Sequence, residues 1–120
     1  MAESIPPVSV SHQKDIRVVE FTNNRILDEA NISEIGQTLT TLIEERESPK
    51  MLLDFSAVDH LSSAALGMLI NANNKIRERG GQLRLAHIKP QILEVFVITK
   101  LNKLFKIFQT RDEALASFNQ

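Results

Sequence analysis

Two adjacent serines, Ser62 and Ser63, are the residues of this sequence best placed to do chemistry. They stand in the stretch VDHLSSAALGML, just before a run of small and apolar residues. A serine in this position is a preferred helix N-cap, because its hydroxyl accepts a hydrogen bond from a free backbone N–H of the first turn. A helix has only one N-cap, so the second serine needs another role, such as a nucleophile or a site of covalent modification.

Serine hydrolase chemistry is a remote alternative. Neither Ser62 nor Ser63 stands in the G-x-S-x-G turn that exposes a hydrolase nucleophile. His60 lies close by and His87 follows a predicted strand, so the sequence contains histidines that could serve as a general base. Histidines in loops and at strand ends are far more often plain surface residues. We therefore do not expect serine hydrolase activity.

Metal and cofactor sites are not indicated either. The residues Asp28, Asp54, Asp59 and His60 have no recognised ligand spacing. Cysteine is absent, which removes thiolate ligands and disulfides together. The glycine pair at 80–81 follows a predicted helix, whereas a dinucleotide-binding glycine loop precedes one. We expect no cofactor and no bound metal.

Helical geometry separates the two faces of the helix that follows the serines. At 100° per residue one stripe is apolar and should be buried; it holds Ala65, Leu69, Ala72 and Ile76. The opposite face is polar or small except for one isoleucine; it holds Ser63, Gly67, Ile70 and Asn74, with Asn71 beside them. A glycine on an exposed face is either tolerated or lets another backbone come close.

A phosphate on Ser63 would lie near the positive end of the helix dipole, where unpaired N–H groups can hold it. Its charge of about −1.5 to −2 would burden the fold little but would transform the outer face of the helix. The fold would tolerate such a phosphorylation, whereas a partner that docks on this face would not. Ser63 is therefore a candidate phosphorylation switch for partner binding.

The rest of the chain alternates between strand and helix patterns. Strands are predicted at an edge segment beginning in 8–11 and at the runs IRVVEF, KMLLDF and QLRLAHI, and LFKIF is predicted to be a last short strand or a turn. Helices are predicted from residue 28 towards Pro49, over 63–79, from Pro90 through PQILEVFVITK, and over RDEALASF. Asn31 with Glu34 resembles a capping box for the first helix, with Asp28 as the alternative cap. The glycines at 80–81 end the second helix, one of them in the left-handed conformation.

This order predicts a single α/β domain with a largely parallel central sheet, an N-terminal edge strand and about four flanking helices. We expect residues 1–7 to be a tail and residues 8–120 to be the domain. The net charge is −1 and tryptophan and tyrosine are absent, which argues against nucleic-acid binding. No apolar run approaches the roughly 20 residues that span a bilayer, and the N-terminus does not resemble a signal peptide, so we expect a cytoplasmic protein.

The sequence resembles the STAS-domain family, specifically bacterial anti-sigma factor antagonists. The segments that carry the resemblance are LLDFSAVDHLSSAALGMLI and GGQLRLAHIKPQILEVFVITKLNKLFKIFQTRDEAL, and the likeness extends over residues 16–118. The family motif reads D-S-(S/T)-G-L-G at the start of the helix. On this motif Ser63 matches the serine that family members have phosphorylated, and 66–67 match its L-G.

Two departures from the motif matter. Ser62 stands where the family usually has aspartate, and Ala65 where it usually has glycine. The first change removes a carboxylate beside the phosphoacceptor, and the second stiffens the start of the helix. Leu27 and Asp28 match a family L-D in the loop before the first helix, which lies beside the switch serine.

What the resemblance implies is a binding module, not an enzyme, that regulates sigma-factor-dependent transcription. The unmodified antagonist would capture an anti-sigma factor, often a GHKL-type serine kinase, which would expel it by phosphorylating Ser63. A metal-dependent protein phosphatase would reset it, and ATP and metal would belong to these partners. From the motif and the helical geometry together, the predicted rim of the docking surface is Asp28, Ser62, Gly67, Ile70, Asn71 and Asn74. The alternative is a STAS scaffold without phosphorylation in a multi-protein assembly, such as a stressosome or a lipid-transport complex.

Overall fold

Seven strands and four helices make up most of residues 8–22, 25–26 and 29–118, the part of the chain that this computed structural model describes. The strands are β1 (Val8–Gln13), β2 (Ile16–Phe21), β3 (Arg25–Ile26), β4 (Lys50–Asp54), β5 (His60–Leu61), β6 (Gln82–Ala86) and β7 (Lys106–Phe108). The helices are α1 (Glu29–Glu44), α2 (Ser63–Glu78), α3 (Pro90–Ile98) and α4 (Arg111–Ser117), with a short 3-10 turn at Leu101–Lys103. The predicted alternation of strands and helices is confirmed.

Five strands form the central sheet, in the order β1-β2-β4-β6-β7. Strands β2, β4, β6 and β7 run parallel to one another, and β1 pairs antiparallel with β2 at the edge. This is the largely parallel sheet with an N-terminal edge strand that the sequence predicts. Because parallel strands end at the same edge of the sheet, the helices that follow β4 and β6 begin at that edge. The candidate site lies at the same edge.

The two faces of the sheet are covered by different helices. Helices α1, α2 and α3 pack on one face, and their central buried side chains are Ile35, Leu39, Leu69, Ile76 and Phe96. On the other face Ala114 and Phe118, from α4 and the residue after it, pack against Val18, Leu52 and Ala86 of the strands. The apolar stripe predicted for the second helix is buried as expected.

A second, two-stranded sheet lies outside the sequence-based prediction. Strand β3 pairs in parallel with β5, with Arg25 opposite His60 and Ile26 opposite Leu61. Two residues are too few for any hydrophobic period, so no pattern in the sequence reveals this pairing. It joins the segment that precedes α1 to the segment that precedes α2.

The ends of the helices correct one local prediction. The capping box proposed for Asn31 and Glu34 is wrong, because α1 already begins at Glu29 and Asn31 lies within its first turn. The alternative cap, Asp28, lies outside the described residues. A capping box does occur at α4, where the Thr110 hydroxyl accepts a hydrogen bond from the Glu113 N–H at 3.1 Å and Glu113 Oε1 accepts one from the Thr110 N–H at 3.2 Å.

The carboxylate of Asp54 joins the end of β4 to the start of α4. Asp54 is 2% exposed. Its Oδ2 accepts hydrogen bonds from Arg111 Nε at 3.0 Å and Nη2 at 2.5 Å, and its Oδ1 accepts one from the Ser56 N–H at 2.9 Å. Burial by itself raises the pKa of Asp54, but the hydrogen bonds from Arg111 and Ser56 outweigh burial and hold the pKa below its ordinary value.

We expect Asp54→Asn to destabilise the fold by about 2 kcal/mol near neutral pH, because half-exposed Arg111 loses its buried carboxylate partner and keeps only the longer ion pair with Glu20 at 3.6 Å. Since the folded-state pKa is lowered, the stabilisation is fully present above the unfolded pKa of about 4 and is lost as the pH falls through the lower folded pKa. Urea unfolding measured from neutral pH to about pH 3 should show a steeper loss of stability in the natural chain than in Asp54→Asn. The control is Asp112→Asn, on the exposed side of α4. Parallel pH profiles for the natural chain and Asp54→Asn would contradict this account.

Candidate functional site

The loop between β4 and α2 is anchored to the core. Phe55 and Val58 are fully buried. The Phe55 N–H donates to the Ala86 carbonyl at 3.0 Å, which ties the start of the loop to the end of β6. An ion pair between Asp59 and Lys89 ties the loop to the start of α3. These contacts hold the beginning of α2 in a defined place at the carboxyl edge of the sheet.

Ser62 is the N-cap of α2. Its backbone is extended, with φ −85° and ψ 167°, and its hydroxyl accepts a hydrogen bond from the Ala65 N–H at 3.1 Å. Its carbonyl accepts the first hydrogen bond of the helix, from the Leu66 N–H at 3.1 Å. One of the two serines is therefore a cap, as the composition of the stretch predicts.

Ser63 is the first residue of α2 and is exposed. Within the part of the chain that the structure describes, its hydroxyl makes no hydrogen bond, and the N–H groups of Ser63 and Ala64 have no acceptor. The first turn of α2 contains no acidic side chain to offset the positive end of the helix dipole. The hydroxyl thus faces outward beside two unused N–H donors, a geometry that suits a covalently attached anion.

The residues predicted around Ser63 have unequal exposure. Gly67, Asn71 and Asn74 are exposed along the outer side of α2. Ile70 is only half-buried, because its side chain packs against the core cluster under the helix. Asp28, predicted for the same rim, lies outside the described residues.

A groove of about 800 Å³ runs between α1 and α2. From α2 it is lined by Ala64, Gly67, Met68, Asn71, Ala72 and Lys75, and from α1 by Ile32, Ser33, Gly36, Gln37, Thr40 and Thr41. A Cβ added at Gly67 would meet no atom within 4 Å, so this part of the groove is accessible to a binding partner. At the far end Lys75 Nζ donates to Thr40 Oγ1 at 3.1 Å. Sequence reasoning missed this groove, since it arises from the packing of two helices.

The capping geometry predicts unequal effects on stability for alanine substitutions of the two serines. We expect Ser62→Ala to lower the free energy of unfolding by about 1 kcal/mol, because the Ala65 N–H loses its acceptor. Ser63→Ala should change it by less than about 0.5 kcal/mol, because the Ser63 hydroxyl makes no hydrogen bond to the described residues. Urea unfolding of the two variants checks this, and an equal loss in both would contradict the assignment of the cap.

The histidines considered as general bases are placed differently from one another. His60 is exposed on β5. His87 Nε2 accepts a hydrogen bond from the Arg111 N–H at 3.3 Å, so this ring contacts the start of α4. Among residues 8–22, 25–26 and 29–118, no three histidine, aspartate or glutamate side chains form a group able to hold a metal ion. In the same residues no helix is long and apolar enough to cross a bilayer.

Comparison with known proteins gives one family and a consistent set of relatives. A model of the STAS domain matches residues 7–114 of this chain. BtrV of Bordetella bronchiseptica, a protein provisionally assigned as an anti-sigma factor antagonist, is 28% identical over 93 residues, which is 78% of this chain and 79% of that protein.

Solved structures give the same fold. An anti-sigma-factor antagonist (STAS) domain protein from Planctomyces limnophilus superposes with a TM-score of 0.83 at 22% identity, covering 94% of this chain and 98% of that one. The Bacillus cell fate determinant SpoIIAA, solved in its phosphorylated form, superposes with a TM-score of 0.69 at 15% identity, covering 92% of this chain and 98% of that one. At these identities the likeness establishes the fold.

Proposed function

This chain belongs to the STAS-domain family, and we propose that within it the chain acts as an anti-sigma factor antagonist whose binding is switched off by phosphorylation of Ser63. The observation that carries the proposal is the geometry of Ser63. The residue is exposed at the first position of α2, and neither its hydroxyl nor the N–H groups of Ser63 and Ala64 have a hydrogen-bond partner among the described residues. The names of the relatives support the same class of protein.

Phosphorylation at this position leaves the fold intact for a physical reason. The phosphate lies at the positive end of α2, where the N–H groups of Ser63 and Ala64 can donate to its oxygens. The new charge of about −1.5 to −2 is displayed to any protein docked on the outer side of the helix. A partner that docks against the neutral hydroxyl would then have to bury the phosphate charge without a counter-ion, so its affinity falls.

Ser62 keeps the capping function of the aspartate that the family usually has there, because both side chains accept from the first turn. It carries no charge, so the positive end of the helix dipole remains uncompensated until a phosphate arrives. We therefore propose that the departure from the family motif preserves the structural part of the switch.

The docking surface that we propose combines the outer side of α2 with the α1–α2 groove. Gly67 and Asn71 belong to both, which makes the groove continuous with the face that carries Ser63. Among the described residues Lys75 forms no ion pair with a carboxylate, so the end of the groove favours an acidic group of the partner. The partners proposed are an anti-sigma factor of the GHKL serine kinase class and a metal-dependent protein phosphatase, and the chain itself acts by binding and not by catalysis.

Isothermal titration with an anti-sigma factor of the GHKL serine kinase class from the same organism tests the proposal. Saturable binding of the unmodified chain is expected. No binding to that protein by the unmodified chain would contradict the antagonist function.

Gly67→Ala tests whether the partner approaches the groove. The added methyl has open space in the free chain and removes a helix-interior glycine, so stability should rise by up to about 1 kcal/mol. Affinity for the anti-sigma factor should fall roughly tenfold, because the methyl occupies space meant for the partner. Glu78→Ala, at the exposed end of α2 away from the groove, is the control. Unchanged affinity in Gly67→Ala would place the partner elsewhere.

A scaffold function is the second candidate, and one observation favours it. Helix α3 exposes large apolar side chains, with Val97 at 52% and Ile98 at 73%. Such side chains beyond the α2 face offer a second contact to a multi-protein assembly. If Ser63→Ala and the natural chain bind their partner alike and neither is phosphorylated, the scaffold function replaces the switch.

A further inference from the structure

Arg84 is a buried cation on the face of the sheet that α4 covers. It is 7% exposed and lies on β6. Its Nε donates to Ser117 Oγ at 2.9 Å, its Nη1 to the Leu83 carbonyl at 3.2 Å, and its Nη2 more weakly to Gln82 Oε1 at 3.5 Å. A guanidinium has five N–H donors, so these three bonds leave two without an acceptor among the described residues. All three acceptors are neutral.

The charge of Arg84 is only partly compensated. Burial lowers the pKa of Arg84, which reflects the cost of holding a cation away from water. The Phe118 ring lies 5.0 Å from the guanidinium carbon, and the carboxyl end of α4 adds a partial negative charge of about half a unit. None of the five ion pairs found among the described residues includes Arg84. Buried charges in proteins are normally paired, so we expect the Arg84 guanidinium to interact favourably with a bound anion.

A cavity of about 380 Å³ lies beside Arg84, between α4 and strands β6 and β7. Lys106 lines it and adds a second cation, which is exposed and also outside the ion pairs of the described residues. Glu113 lines it too, but its carboxylate accepts from the N–H and the hydroxyl of Thr110 at 3.2 Å each. Phe108, half-buried, supplies an aromatic wall.

We propose that this cavity binds a phosphate monoester of a small organic molecule, with Arg84 and Lys106 contacting the phosphoryl group and Phe108 packing against the organic part. Arg84 and Lys106 bring two positive charges and Glu113 one negative charge, and the three acceptor oxygens of a phosphate monoester can accept hydrogen bonds from both cations at once. The volume lies within the range of about 300 to 1,000 Å³ typical of small-molecule pockets and leaves room for an organic body.

The site is independent of the proposed switch. Ser63 lies at the start of α2, which packs on one face of the sheet, whereas Arg84 faces α4 on the other. Loss of phosphate-ester binding would therefore leave the proposed regulation of Ser63 untouched, and failure of that regulation would leave this site untouched.

Titration of the full chain with phenyl phosphate tests the site, followed by NMR or calorimetry. Saturable binding is expected, weakened roughly tenfold in Lys106→Gln, whose exposed side chain can be replaced without affecting the core. Lys103→Gln, equally exposed but outside the cavity, should bind like the natural chain. Arg84→Gln should abolish binding in a protein whose circular dichroism confirms that it is folded.

Benzoate and inorganic phosphate distinguish the parts of the proposal. Benzoate has the ring with a single negative charge, and inorganic phosphate has the charge without the ring; both should bind more weakly than phenyl phosphate. Benzoate binding as tightly would overturn phosphate recognition, and inorganic phosphate binding as tightly would overturn the role of Phe108. Unsaturable binding, or equal weakening in both lysine variants, would overturn the site itself.

Discussion

Ser63→Asp is expected to stay folded and to bind the anti-sigma factor at least about a hundredfold more weakly than the natural chain. An acidic residue in the first turn of a helix interacts favourably with the helix dipole, so the free energy of unfolding should be unchanged or slightly higher. In the natural chain the partner contacts a neutral hydroxyl on the exposed face of α2. In Ser63→Asp it would contact a negative charge at the same position, which should weaken binding.

Ser63→Asn is the matched control for this experiment. Asparagine has nearly the shape of aspartate but no charge, and it too is accommodated at the start of a helix. Calorimetric titration should give an affinity for Ser63→Asn much closer to that of the natural chain. Equal losses in the two variants would mean that side-chain size and not charge controls docking, which contradicts the electrostatic switch.

Gly81→Ala is expected to be the most destabilising of the four glycine-to-alanine substitutions, at about 3 kcal/mol or more. A Cβ on Gly81 would lie 2.3 Å from the Pro49 carbonyl oxygen and 2.9 Å from Ile76 Cγ1. The Pro49 oxygen cannot move away freely, because it accepts the Gln82 N–H at 2.8 Å, and Gly81 itself donates to the Ile76 carbonyl at 2.8 Å. This contact joins the end of α2 to the approach to β4.

Two other glycines serve as controls for Gly81→Ala. Gly80 has φ +71°, and its Cβ would lie 3.5 Å from Ser48 Oγ, so Gly80→Ala should cost only the left-handed conformation, about 1 kcal/mol. Gly67→Ala should gain stability. Urea unfolding gives the order directly, and a Gly81→Ala variant no less stable than Gly80→Ala would contradict the described packing.

Much of the fold follows from periodic patterns that are local in sequence. The local sequence is enough to predict the apolar runs of β2, β4 and β6 and the apolar stripe of α2. It also predicts the left-handed glycine after α2. Position 81 is different, because its glycine is required by contact with Pro49 across more than thirty residues of chain. The β3–β5 pair is equally invisible, since it contains only two residues on each side.

The candidate site divides in the same way. Helical geometry at 100° per residue is enough to place Ser63 outward, and the preference of serine for helix N-caps predicts that one of the two serines is the cap. The α1–α2 groove depends on how two helices pack, and the helical wheel left Ile70 on the exposed side although it contacts the core. Arg84 stands in an alternating strand sequence, and only the placement of α4 over that face buries its charge.

The measurement closest to the central claim is a phosphorylation assay with the cognate anti-sigma kinase and ATP, followed by mass spectrometry to locate the phosphate. The natural chain and Ser62→Ala should each gain one phosphate, on Ser63, and Ser63→Ala should gain none. A phosphate on Ser62, or an unmodified natural chain under conditions where the kinase binds it, would contradict the account.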